Sequence, residues 1–488
     1  MEAVKRKKRA GVLMPVASLP SPYGVGDFGK YSFEFVDFLA ECGVKVWQIL
    51  PLNPLGYGNS PYQPYSSMAG DELYIDLDDL HHQGLLKERP LRSLSRAAFV
   101  DYEEVRRVKE EGLRSAFSQF IPDAEYEKFT AMDWVYPYAV FLTFKKKNEM
   151  KSWPEWPQEQ REWPAGSGFD EKIWAEDIAY EMFIQYTFYR QWMTLKGYAN
   201  KKGIEIMGDI PFYVGLDSLD VWMSREDFLL GADGKPAFVA GVPPDYFSAT
   251  GQRWGNPIYN WEKLEKDGFA FWINRITYTA RLFDIVRIDH FRAFDTYWKI
   301  PAACPTAIEG EWVEAPGYAL FDRLFREYPE LNIVAEDLGE LRPEVHTLRD
   351  HYTLPGMDVI QFTFDPACGA PPLEHRSVVY TGTHDNETLK QWFEARTEEE
   401  QLQCRKFLRM QGIDTRHIIH AFIVYAMERN SELAIIPIAD LMGFGEEGRI
   451  NRPGTVGAPN WMWRLVDYNR LKKQKDFLKK TIENTDRG

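Results

Sequence analysis

Residues 283–294 read FDIVRIDHFRAF. The run from Phe283 to Ile288 has the β-branched, apolar character of a buried strand, and Asp289 and His290 stand where that run stops and a loop begins. Side chains alternate along a strand, so Arg287 and Asp289 share one side, where a guanidinium holds a carboxylate ionised and oriented. Taken alone, the stretch is open to two readings: a structural ion pair at a strand end, or an oriented carboxylate nucleophile.

The same pattern recurs along the chain. Asp209 stands in GDIPFYV (208–214), Glu336 and Asp337 in AEDLGE (335–340), and His384 and Asp385 in TGTHDN (381–386), each at the end of an apolar run. Singly they have ordinary explanations: an Asp after a strand caps a helix or closes an Asx-turn, and His384 reads as a satisfied core histidine. Jointly they suit glycosidic-bond chemistry. One carboxylate attacks the anomeric carbon, a second protonates the departing oxygen, and a third stabilises oxocarbenium-like charge. A divalent-cation site is the competing use of acidic clusters. Arg287 beside Asp289 puts positive charge where the cation would sit, so neither a metal nor a cofactor is expected.

Eight short β-branched runs must position these groups: residues 11–16, 44–50, 204–210, 283–288, 332–336, 358–363, 377–381 and 433–438. Helical patterns fall between them, at 32–42, 178–200, 268–282, 317–328, 342–351, 387–396 and 415–428. Strands alternating with helices make parallel βαβ units. Eight such units predict an α/β fold of the (β/α)8 TIM-barrel type, with its active site at the carboxyl ends of the strands. An open doubly wound sheet is the runner-up, since no glycine-rich phosphate loop follows the first strand. Asp337, adjacent to Glu336, should face the opposite side and be structural.

The spacing of the runs is uneven. A single barrel domain over 1–488 carries three expected insertions: a helical subdomain over 75–178, lid loops over 225–262 and a loop over 439–466. All leave from carboxyl ends of strands and should overhang one face. Within the first, the Trp/Pro-rich tract KSWPEWPQEQREWPAGSGF (151–169) reads as a surface loop.

Composition narrows the partners. A net charge of -15 and a pI near 5.3 argue against nucleic acid and anionic membranes, which are bound through Lys/Arg excess. With 16 Trp and 25 Tyr the chain is rich in flat rings, which stack on sugars and equally fill cores. Cys42, Cys304, Cys368 and Cys404 form no CxxC pair, so neither a zinc site nor a disulfide framework is signalled. The amino terminus, MEAVKRKKRAGVLMPVASLP, has the basic and apolar segments of a secretory signal, but Pro15 interrupts it and it reads as well as a first strand. No apolar run reaches the length of about 18 residues that a spanning helix needs. A cytoplasmic protein is expected; the sequence leaves its oligomeric state open.

Long, order-preserving segments also resemble the retaining α-amylase superfamily, and within it the 4-α-glucanotransferases called amylomaltases or disproportionating enzymes. They are SLPSPYGVGDFG (18–29), WQILPLNPLGYGNSPYQPYSSMAG (47–70), GDIPFYV (208–214), GVPPDYFSATGQRWGNPIYNW (241–261), VRIDHFRAF (286–294), AEDLGE (335–340), LPGMDVIQFTF (354–364), YTGTHDNET (380–388) and NRPGTVGAPNWMWR (451–464). The resemblance implies that Asp289 is the nucleophile, Glu336 the general acid/base and Asp385 the transition-state stabiliser. It further implies that Arg287 positions the nucleophile, that His384 bonds sugar hydroxyls, and that Asp209 supports the site. Trp254 and Gln252 in GQRWGNP, Tyr57, Ser60 and Tyr62 in GYGNSPY, Phe362 in QFTF, and Asn460 with Trp461 resemble further glucan contacts; core or loop packing is the other reading of these aromatics. The implied activity is transfer of an α-1,4-glucan segment from one maltooligosaccharide or amylose chain to the 4-hydroxyl of another. A retaining α-glucan hydrolase and a non-catalytic glucan-binding protein are the alternatives. The pattern departs from the family at Ala293, where glycine is expected, and at GDELYIDL (70–77), where two acids replace Asn-Pro.

Overall fold

The β-branched runs fold into one parallel sheet in a computed structural model that describes residues 7–88, 97–164, 170–244 and 248–488. Its strands are β1 (Arg9–Leu13), β2 (Val46–Gln48), β3 (Glu205–Ile210), β6 (Ile285–Ile288), β9 (Ile333–Ala335), β10 (Gly356–Val359), β11 (Ser377–Tyr380) and β12 (Leu433–Pro437), in the order β10-β11-β12-β1-β2-β3-β6-β9. The two edges meet where the Ala335 N–H donates to the Pro355 carbonyl at 2.9 Å, which brings the sheet round into a (β/α)8 barrel. The strands are buried on both faces, as those of a helix-wrapped parallel sheet must be, and β6 and β12 are buried at every residue.

The strands differ from the sequence reading at one or both ends, most in two of them. The first strand ends at Leu13, because Pro15 leads into a 3-10 turn, Val16–Ser18. The sixth begins at Gly356 and ends at Val359; Ile360–Thr363 is a helical turn, so Phe362 leaves the barrel wall and is 58% exposed.

A second sheet was not legible in the sequence. β4 (Phe238–Val242), β5 (Gln252–Pro257), β7 (Thr296–Pro301) and β8 (Glu311–Glu314) form an antiparallel sheet ordered β5-β4-β7-β8. Half of it comes from the segment after β3, read as lid loops, and half from the segment after β6. Trp298 and Trp312 face each other across its outer ladder. Residues 245–247 of GVPPDYF, between β4 and β5, lie outside the described residues.

Between β2 and β3 the helices Leu77–His82, Tyr102–Phe117, Ala124–Thr130, Val135–Lys147 and Ala175–Lys201 pack together. The last joins this helical region to the barrel: its buried Trp192 donates an indole N–H to the Leu282 carbonyl at 3.1 Å, just before β6. Over its described part the Trp/Pro-rich tract runs along the surface in two short helical turns, Trp153–Glu155 and Gln158–Arg161, and is pinned there by indoles. Trp153 and Trp156 are buried, Trp153 bonds the Leu216 carbonyl at 2.7 Å, and Trp156 packs against Phe141 and Trp222. Large rings bury more apolar area than a loop can leave exposed. Residues 165–169 of that tract, 89–96 of the same region and 1–6 lie outside the described residues.

The two acids of GDELYIDL are tied down. Asp71 accepts the Leu55 and Leu73 N–H groups at 2.8 and 2.9 Å, and Arg106 bonds both Asp71 and Glu72. The helical region therefore anchors Leu55, the residue that leads into the loop bearing Tyr57, Ser60 and Tyr62. Among the described residues no helix is long and apolar enough to cross a membrane.

Candidate active site

Asp209 and Arg287 are register partners in β3 and β6. One guanidinium nitrogen of Arg287 donates to both Asp209 oxygens at 2.7 and 2.6 Å and to Asp289 Oδ1 at 3.1 Å. The Tyr62 hydroxyl donates to Asp209 Oδ2 at 2.6 Å. Gly208, just before Asp209, meets the ring of Phe283 so closely that a Cβ would fall 2.1 Å from it, so only glycine admits this strand contact. On the far side, buried Arg275 donates to the Phe212 carbonyl at 3.0 Å and to that of Pro211, fixing the chain beyond Asp209.

The barrel ladder continues past the strands into the reacting residues. The Asp289 N–H donates to the Ile210 carbonyl at 3.0 Å, and the Glu336 N–H to the Ile288 carbonyl at 3.0 Å. Ile288 and Ala335 are register partners, so Asp289 and Glu336 follow at the same level of adjacent strands. Neighbouring strands run about 4.8 Å apart. Glu336 accepts the His290 N–H at 2.7 Å and the Leu338 N–H at 3.2 Å. Asp337 turns the other way, accepting the Met357 N–H at 2.7 Å and pairing with Arg349.

From β11 come His384 and Asp385. The Tyr62 and His384 rings stack with centroids 5.1 Å apart and planes 12° from parallel, and Trp461 leans against both. Asp385 lies 3.5 Å from His384 Nε2 and accepts the Asn451 side-chain amide at 2.7 Å.

Burial and charge act together here. Burial opposes the charge of Arg287, but Asp209 and Asp289 outweigh it and hold its pKa well above the ordinary value. The Asp289 carboxyl is pushed well up by burial against the pull of Arg287, with Asp209, Glu336 and Asp385 adding to the rise. Burial also raises Glu336, against Arg287 and the His290 N–H. Asp209 and Asp289 share the one guanidinium, and burial favours the protonated form of both Asp289 and Glu336. Burial lowers the pKa of His384 and takes that of His290 down to about 3, so both imidazoles are neutral. Among the described residues no group of three or more His, Cys, Asp or Glu side chains could hold a metal ion.

The model of the 4-alpha-glucanotransferase family matches residues 14–469. The chain belongs to the 4-alpha-glucanotransferase family. A 4-alpha-glucanotransferase of Thermus thermophilus is 42% identical over 496 residues, covering 98% of both chains, and one of Aquifex aeolicus is 42% identical over 483 residues, covering 97% of this chain and 98% of its own. The structure of an amylomaltase from Streptococcus agalactiae in complex with acarbose superimposes with a TM-score of 0.94 at 36% identity, covering 99% of this chain and 100% of that one. An amylomaltase from Corynebacterium glutamicum shares the fold, with a TM-score of 0.78 at 18% identity over 97% of this chain and 75% of that one. Glucan transfer is the activity of this chain, and the hydrolase and binding-protein alternatives give way to it.

The structure gathers Asp209, Arg287, Asp289, Glu336, His384, Asp385, Tyr62 and Trp461 around the mouth of the barrel. Trp254 comes from β5: its ring meets His290 edge-on at 4.9 Å, and its indole N–H donates to Gln252 Oε1 at 3.2 Å. Ser60 accepts the Tyr62 N–H at 3.2 Å and so helps fix that ring. Three residues stand apart. Tyr57 is 77% exposed and Phe362 is 58% exposed, neither packed into the cluster. Asn460 is buried and spends its amide within its own loop, accepting the Arg452 N–H at 3.0 Å and donating to Thr455. It borders a cavity of about 360 Å³ lined also by Phe99, Glu446, Arg449 and Asn451.

Two contributors had no assignment from sequence. Asn451 opens the NRPGT motif, whose presence carried no sign of a bond to Asp385. His290 reaches Glu336 by its main chain because its φ of 52° turns the N–H inward; the adjacency of Asp289 and His290 was the only available signal.

Proposed function

We propose that the protein transfers α-1,4-glucan segments by retaining double displacement. Asp289 attacks the anomeric carbon while the Glu336 carboxyl gives its proton to the departing 4-oxygen, leaving the non-reducing segment as an ester on Asp289. The 4-hydroxyl of a second glucan then gives its proton to the Glu336 carboxylate as its oxygen displaces Asp289, and the configuration is restored. The observation that carries this reading is the position of Asp289: bonded to buried Arg287, and level with Glu336 on the next strand. A retaining pair works at about 5 Å, close to the spacing of adjacent strands.

The reaction requires the charge on Asp289 and the proton on Glu336; the direct contact of Arg287 pulls Asp289 that way, against the burial that raises its carboxyl. Asp385 and neutral His384 serve as acceptors and donors for hydroxyls of the distorted sugar, with the flat Tyr62–His384 stack as the floor. Trp254 and Gln252 supply the acceptor side, and keeping water from the ester there sets transfer over hydrolysis. Asn460 and Trp461 shape the wall beside Asp385, while Tyr57, Ser60 and Phe362 offer outer contacts. The segments 75–178, 225–262 and 439–466 are proposed to act as the additions that build this cleft over the barrel. A cytoplasmic location belongs to the same proposal and is supported by four free cysteines, as expected of a reducing compartment.

Incubation with maltotriose tests the reading. Glucose together with longer maltooligosaccharides is the expected result; glucose and maltose alone would assign hydrolysis instead.

A further inference from the structure

Asp440 lies outside the reacting cluster, in the helical turn Ile438–Leu441 that follows β12. Its side chain is buried, and both carboxylate oxygens are used: Oδ2 accepts the Thr381 hydroxyl at 2.7 Å and Oδ1 the Leu389 N–H at 2.6 Å. Thr381 is the first residue after β11, and Leu389 opens the helix Leu389–Glu394. The segment between them, GTHDNET, carries His384 and Asp385. One carboxylate thus ties together the two ends of the loop that presents both groups.

No cation pairs with Asp440 among the described residues, so its burial is uncompensated by charge and rests on these two bonds. Burying a carboxylate is costly. An apolar side chain would fill the same space without that cost, but it would leave the buried Leu389 N–H and Thr381 hydroxyl without their acceptor. Other ties reach the loop at single points: Asn451 donates to Asp385 at 2.7 Å, Gln361 donates to the Glu387 carbonyl at 2.8 Å, and Asn386 accepts from the Thr383 N–H at 2.8 Å within the loop itself. None of the three spans its two ends.

We infer that Asp440 is a positioning residue for glucan transfer, holding His384 and Asp385 at the sugar by closing the 381–389 loop. This rests on the proposed roles of those two residues. Misplacing a catalytic group by about 1 Å costs on the order of 100-fold in rate.

Asp440→Ala should therefore lower kcat about 10- to 100-fold on maltotriose at 25 °C, with KM changed less than kcat, in enzyme whose circular dichroism is unaltered. Asp440→Asn should recover most of that loss, since its oxygen still accepts from Leu389 and its amide donates to a Thr381 hydroxyl that has turned round. Should Asp440→Ala not fold, Thr381→Val, which removes one of the two bonds at nearly constant shape, decides: a fall in kcat of about threefold or more supports the inference, and an unchanged kcat overturns it. A folded Asp440→Ala enzyme within twofold of wild type also overturns it. Asp385→Ala measured in parallel separates the two levels. If it is inactive while Asp440→Ala is unaffected, only the role of Asp440 falls; if Asp385→Ala is itself active, the reading of the loop as part of the site falls.

Discussion

Arg287 and Asp209 face each other across neighbouring strands, and a single guanidinium nitrogen lies 2.7 and 2.6 Å from the two carboxylate oxygens, closer than its 3.1 Å to Asp289. The cation is thus anchored by a carboxylate that does not react and shared with one that does. Both members of the anchor are buried. Removing one member of a buried pair costs about 3–5 kcal/mol when the other is left unpaired; Arg287 keeps Asp289 as a partner, so that range is an upper bound here. Asp209→Ala should lose stability up to that bound in urea unfolding and should also lower kcat, because Arg287 is then free to swing fully onto Asp289 and quench it.

Protonation gives a second prediction. Burial raises the pKa of Glu336 above its ordinary value, so the folded state binds this proton more tightly than the unfolded chain. The stability linked to it is complete below the ordinary carboxylate range and is lost as pH rises through the raised value. Glu336→Gln, which does not titrate, should match wild type in melting temperature near pH 4 and exceed it at neutral pH. In activity, wild type should show a basic limb from loss of the Glu336 proton, and the residual activity of Glu336→Gln should lack it.

Acceptor choice is assigned to Trp254. Its ring is half-buried, touching His290 edge-on, and the neighbouring Gln252 side chain accepts its N–H. Aromatic contacts of this kind contribute about 0.5–1.5 kcal/mol beyond burial. Trp254→Ala should raise the ratio of hydrolysis to transfer roughly three- to tenfold, read as free reducing ends against longer products, with little change in unfolding midpoint.

Asn451 bonds Asp385 Oδ1 at 2.7 Å. A hydrogen bond to a charged group contributes about 1.5–3 kcal/mol. Asn451→Ala should therefore cut kcat by about 10- to 100-fold on maltotriose, with glucose and longer products still formed in wild-type proportion.

Much of this arrangement was legible because it is periodic. The runs 204–210, 283–288, 332–336 and 377–381 announce strands, and parallel strands of one barrel must deliver Asp209, Asp289, Glu336 and Asp385 to one rim. The antiparallel sheet escaped because its strands are irregular in pattern: Gln252–Pro257 contains two glycine or proline residues, and Glu311–Glu314 is largely exposed. Its pairing is also long-range, joining Val239 to Ile300 across the whole of β6. The prolines of the tract around Trp153 signal a loop, but not that Trp153 and Trp156 turn inward to pin it. Phe362 was placed on a strand because Val359 and Ile360 continue a β-branched run that the backbone turns into a helix. Which amide meets Asp385, and how the main chain of His290 reaches Glu336, depend on loop conformations that no local pattern encodes.

The ester on Asp289 is the centre of the account. Glu336→Gln incubated with α-maltosyl fluoride needs no acid to release fluoride and has no base to activate the acceptor, so the intermediate should accumulate. Intact-mass spectrometry should show one maltosyl unit added to the protein, and peptide mapping should place it on Asp289 and nowhere in the Asp289→Asn, Glu336→Gln double variant. An adduct on Asp385, or fluoride release with no adduct and an inverted sugar product, would contradict the double displacement.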